Sequence, residues 1–151
     1  MKRFIGAWAL FASMAMTAHA QVAVIVSQSS TGADRAGNIF SAMLQKSIED
    51  TGRYTMVSAK EGPAFHLQVK TMGLDELTVS TIGKAVPVSM YTVLLTVRNE
   101  DETHTYMGDW AGYCGDERAI DMSKTIGKAV VDAMDPLVKA IRDAEKKPSK
   151  M

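Results

Sequence analysis

The order of apolar patterns in this chain predicts a two-layer α+β domain, a mixed sheet of about five strands with two principal helices on one face. Three observations carry that reading. Val22 to Ser58 reads strand, helix, strand. Alternating, strand-like patterns then dominate from Ala64 to Tyr113, and one long helical stripe closes the chain from about Glu117 to Lys146.

The first twenty residues stand apart from that domain. Lys2 and Arg3 make a basic start, Phe4 to Met16 is apolar and uncharged, and Ala18-His19-Ala20 has the small-x-small pattern of a signal-peptidase site. The apolar run is shorter than the roughly 20 residues a spanning helix needs. The expectation is a secretory leader over 1–20, a mature start near Gln21, one domain over 21–146 and a flexible basic tail over 147–151. No cysteine ends the leader where a lipoprotein would carry its acylated residue, so no stable membrane anchor is expected. The mature chain is expected in the periplasm or outside the cell.

Within the domain, VAVIVS (Val22–Ser27) is apolar on nearly every residue, as in a strand covered on both faces. QSSTGAD reads as the turn after it. Asp34 then suits an N-cap, its carboxylate meeting the positive end of a helix dipole. Ala36, Ile39, Phe40, Met43, Leu44, Ser47 and Ile48 fall on one stripe, and Gly52 is placed to take the left-handed conformation that closes a helix. YTMVS resumes as a strand, so a crossover makes the first two strands parallel.

Lys60 to Pro63 is a turn. Phe65, Leu67 and Val69 alternate with His66, Gln68 and Lys70 in the next strand, which gives it one wet face. GLDELTVSTIGKAV reads as a long hairpin loop or an irregular strand. Pro87 to Arg98 is the strongest strand pattern, Asn99 to Glu102 a charged hairpin turn, and His104 to Tyr113 the antiparallel return. Gly108 and Gly112 there indicate a bulge or a close approach. In the final helix Pro136 predicts a kink, or a break with Asp135 capping a new segment. TIGKAV occurs at Thr81–Val86 and again at Thr125–Val130, but two hexamers without a sustained period are a coincidence and not a structural repeat.

Charge excludes one class of partner. The chain holds 17 basic and 17 acidic residues, and without Lys2 and Arg3 the remainder is slightly acidic. No basic stripe suits nucleic acid. His66, His104 and Cys114 lack zinc-like spacing, and the methionines are spread one per element, as core packing and not a copper site requires. Cys114 lies beside Asp116 and Glu117, which raise rather than lower a thiol pKa, and it has no internal disulfide partner. No G-x-S-x-G motif is present. The paired carboxylates lie in predicted turns or at a helix start. These features predict no catalytic residues, no metal and no cofactor. Trp110 and Tyr113, in DWAGYCG among glycines, are the candidate binding residues, since aromatic anchors beside small residues are common at interfaces.

VAVIVSQSSTGAD, an amphipathic helix and then TGRYTMVS together resemble the opening of a group of cell-envelope domains. The group comprises the amino-terminal domain of TolB, the periplasmic domain of the curli-secretion lipoprotein CsgG and the penicillin-binding-protein activator lipoproteins. Thr31, Gly32 and Asp34 match the small-residue turn, and Thr51, Gly52, Arg53 and Tyr54 match the helix stop. The resemblance covers about 37 residues and implies an α+β fold and a non-enzymatic role docking on another envelope protein. A carrier or sensor of a small ligand or metal is the alternative expectation.

Overall fold

The computed structural model describes residues 21–74 and 87–146. The expected leader with Ala18 and Ala20, the 75–86 part of the loop reading, the first TIGKAV copy and the 147–151 tail lie outside the described residues. The elements are β1 (Val22–Thr31), α1 (Arg35–Glu49), β2 (Tyr54–Val57), β3 (Ala64–Leu74), β4 (Val88–Arg98), β5 (His104–Gly115) and α2 (Asp116–Lys146). The strands form one five-stranded mixed sheet in the order β2-β1-β3-β4-β5. β1 runs parallel to both β2 and β3, whereas β3, β4 and β5 form an antiparallel meander.

Both helices cover the same face. Val24, Phe65, Leu67, Val69, Val93 and Leu95 point toward them from the sheet, while Phe40, Leu44 and Ile48 of α1 and Val130 and Met134 of α2 point back; each is fully buried. Phe40 stacks on Tyr91 with ring centroids 4.3 Å apart, and Tyr54 meets Phe65 edge-on at 6.5 Å. The expected N-cap is in place: the Asp34 carboxylate accepts from the Gly37 amide at 2.9 Å. Gly52 has φ +71°, the left-handed stop.

The connection from β2 to β3 crosses the opposite face. β2 and β3 flank β1, so the chain between Val57 and Ala64 must pass over it. Because α1 covers one face, a constant crossover hand sends this link over the other. Arg98 of β4 holds it there, its guanidinium donating to the carbonyls of Lys60 and Gly62. Ile25 and Ala64 point away from the helices, yet they are 7% and 0% exposed.

Two expectations are corrected and a third is resolved. Gln28 to Thr31 is strand and not turn, because the long β3 offers partners from Val69 to Met72 and only 32–34 remain for the turn. α2 runs unbroken through Pro136, and Asp135 caps nothing: its carboxylate accepts from Arg53 and from the Tyr54 hydroxyl (2.6 Å). The bond lost at Pro136 would have reached Asp132, on the exposed side where water satisfies a free carbonyl, while Met134 and Ile141 stay buried on the inner side. Finally, the two glycines of β5 have separate causes. The register slips between Leu95 and Thr96, which leaves Met107 as an extra residue beside Gly108. At Gly112 a Cβ would lie 2.8 Å from the Tyr91 hydroxyl, so the position is kept small by a side chain and not by backbone.

Candidate interaction surface

β5 presents its residues to two different environments. Trp110 pairs with Val93 and so lies on the helix side, half-buried against the core, its ring resting over Gly108. Tyr113 pairs with Met90 and lies on the opposite, open face, 61% exposed. The two candidate binding residues are therefore separated by the sheet. Their spacing of three already implies this in a regular strand.

The open face carries a residue that the sequence reading missed. Tyr106 is 62% exposed and pairs with Thr96, on the same face as Tyr113. Seven residues apart in an unbroken strand, the two tyrosines would face opposite ways, and the extra residue at Met107 brings them to one side. The Tyr106 hydroxyl donates to the Asp109 carboxylate, a bond that raises its pKa. Register also aligns Met72, Met90 and Tyr113 in one row across β3, β4 and β5. Glycine and edge position are weak sequence signals for such a face, because the row exists only once three strands are in register.

His66 and His104 meet on this same face with ring centroids 5.3 Å apart. The Ser27 hydroxyl shares a hydrogen bond with His66 Nε2 at 3.0 Å, and the Thr96 hydroxyl shares one with His104 Nδ1 at 2.9 Å. Burial, with lesser contributions from His104 and Arg98, holds the His66 pKa below its ordinary value. Among the described residues no group of three or more His, Cys, Asp or Glu side chains is arranged to hold a metal ion.

Cys114 is buried, and burial together with the Asp34 and Asp116 carboxylates pushes its thiol pKa up. Asp34 itself is buried among hydroxyls. It accepts from Ser30 at 2.7 Å, from Ser89 and from the Gly37 amide. Burial alone would raise its pKa, but the Ser89, Thr71 and Ser30 hydroxyls and the Gly37 amide outweigh it and hold the carboxyl below its usual range. This cluster ties the end of β1, the start of α1 and the start of β4 together.

Among the described residues, surface grooves lie beside the helices. One of about 440 Å³ lies between α1 and α2, with Ser47, Lys124 and Gly127 in its lining. Another, of about 700 Å³, is lined by Tyr54, Pro136 and charged side chains that include Arg53, Asp135 and Arg142. Arg53 spans the two and pairs with Asp135.

A scan against protein-family models and a search of curated proteins gave no match. Among solved structures the chain is similar to a minor lipoprotein from Acinetobacter baumannii at 8% identity, covering 76% of this chain and 94% of that one with a TM-score of 0.45. It is similar to a dodecameric PelC variant from Paraburkholderia phytofirmans at 10% identity, covering 77% and 87% with a TM-score of 0.45. Rare lipoprotein B from Shewanella oneidensis matches at 12% identity over 82% and 96%, with a TM-score of 0.30. Likeness at this level assigns the chain neither a family nor a cellular location.

Proposed function

We propose that the chain is exported, loses residues 1–20 and acts in the bacterial cell envelope as a non-enzymatic interaction domain. It docks on another envelope protein through the open sheet face around Tyr106 and Tyr113. One observation carries the reading: two tyrosines, each more than three-fifths exposed, are held on the open side of one long strand, brought to that side by the extra residue at Met107. Tyrosine offers large contact area with few rotatable bonds, and strand placement fixes its direction, so little order is lost on docking. The buried, raised-pKa thiol of Cys114 supports a role without nucleophilic catalysis.

The test is site-specific photocrosslinking in envelope extract, with the probe at Tyr113 and, as a control, at Lys139 on exposed α2. Docking by this face yields one dominant adduct from position 113 that is absent from 139 and lost with Tyr106→Ala. Equal labelling from both positions, or none, would sink it. Sequencing of the envelope-fraction chain checks export, and a first residue other than Gln21 or a close neighbour would count against the leader. A metal or small-ligand carrier is the second reading, supported by the paired rings of His66 and His104. Titration with Zn²⁺ or Cu²⁺ that leaves both imidazole resonances unmoved would remove it.

A further inference from the structure

The two edges of the sheet are protected unequally. β2 is four residues long, and the Glu49 carboxylate accepts from its Met56 amide at 3.0 Å. β5 is twelve residues long and among the described residues has β4 alone beside it, with the Tyr106 hydroxyl meeting its backbone at Asp109. Its sequence, HTYMGDWAGYCG, contains no lysine, no arginine and no proline, and Asp109 is its one acid. Sheet proteins ordinarily guard an edge of this length with such residues, because its free amides and carbonyls template another strand. The bulge at Met107 interrupts the edge but leaves Gly108 to Gly115 regular.

The aromatics indicate what meets this edge. Trp110 is half-buried on the helix side and Tyr113 is exposed on the open side. A partner lying on one face touches only one of them, whereas a strand laid along the edge touches both. We propose that β5 pairs antiparallel with β5 of a second copy of this chain, joining two five-stranded sheets across a two-fold axis.

The chemistry favours a second copy over a foreign strand. With the axis at Trp110, each Trp110 meets its own copy on the helix side. Asp109 falls opposite Ala111, and Gly108 opposite Gly112, so no like charges face each other. Without Lys2 and Arg3 the leader-free chain keeps 15 basic and 17 acidic residues, a small net charge that opposes self-association only weakly. The bulge-free part of this ladder, Gly108 to Gly112 on each copy, spans about 17 Å and buries far less area than stable interfaces do. The dimer is therefore weak, forming on the order of 10–100 µM.

This pairing stands apart from docking by the open face, and either can fail alone. The test is sedimentation equilibrium of the leader-free chain from about 1 µM to about 1 mM, with two charge variants at exposed Ala111. Ala111→Glu sets a carboxylate opposite Asp109 of the second copy, twice by symmetry, and is expected to weaken the dimer at least about tenfold. Ala111→Lys sets an ammonium there and is expected to dimerise at least as well as the parent at low salt, losing any advantage near 1 M salt. Both substitutions lie on an exposed side chain, so circular dichroism and thermal midpoint should match the parent. A parent chain that is monomeric at about 1 mM overturns the proposal and leaves the edge to a foreign strand. A dimer equally tolerant of Glu and Lys overturns it too, because the interface then lies elsewhere.

Discussion

At Asp34 a single carboxylate does two jobs, capping α1 and anchoring Ser30 and Ser89. Its folded pKa lies below the ordinary value of 3.8, so its contribution is complete above that pH and is lost as pH falls through the folded value. Asp34→Asn is expected to cost about 2–3 kcal/mol at pH 7, because charge-assisted bonds become neutral ones. Urea titrations of parent and variant from pH 2 to 7 should show the difference shrinking below about pH 4. A pH-independent difference would mean that the carboxylate is not ionised in the fold. His66 follows the same sign: with its folded pKa below 6.5, the unfolded chain takes up the proton first, and stability falls as pH drops through that value. His66→Gln should flatten that part of the profile. Asp34 was legible as a cap because capping chemistry is local, but its bond to Ser89, 55 residues away, was not. Trp110 and Tyr113 were legible as aromatics, though their odd spacing already placed them on opposite faces.

Elements were read with similar unevenness. Periodicity located β3, β4 and both helices, because burial on one face repeats at two residues or at 3.6. The far end of β1 was hidden, since Gln28 to Thr31 has turn composition and becomes strand only when β3 pairs with it. At Pro136 the expected break is absent for the opposite reason: the local penalty is real, but buried neighbours hold the helix through it. Pro136→Ala is therefore expected to stabilise the domain by about 1–3 kcal/mol, seen as a higher thermal midpoint. An unchanged or lower midpoint would show that the proline costs α2 nothing. Gly73 gives the converse case. A Cβ there would sit 2.1 Å from the Ala33 carbonyl oxygen, a backbone atom that cannot rotate away. Gly73→Ala should lower stability by about 2–4 kcal/mol, the range of overpacking and backbone strain, while Gly52→Ala, with open space but φ +71°, should cost about 1 kcal/mol. Chemical denaturation of the pair separates steric from conformational cost.

At the scale of the molecule, the architecture rests on two crossings of β1, one on each face. The first carries α1 over the core face and is anchored by apolar burial. The second, from Ser58 to Pro63, buries Pro63 and is held by Arg98. The sequence could not reveal it, because Lys60-Glu61-Gly62-Pro63 reads only as a turn, and the order β2-β1-β3 makes it a bridge. That bridge seals Ile25 and Ala64 on a face whose far end carries the exposed tyrosines. One end of the open face is thus closed by chain and the other is available to a partner. Arg98→Met keeps the length of the side chain and removes its donors, leaving two carbonyls to water. The expected loss is about 2 kcal/mol, the scale of hydrogen bonds from a charged donor. Hydrogen exchange should show the change where it originates, with amides from Ser58 to Phe65 opening well before β4 and α2. If those amides stay as protected as in the parent, the bridge is held by packing alone, and Arg98 is an ornament on it.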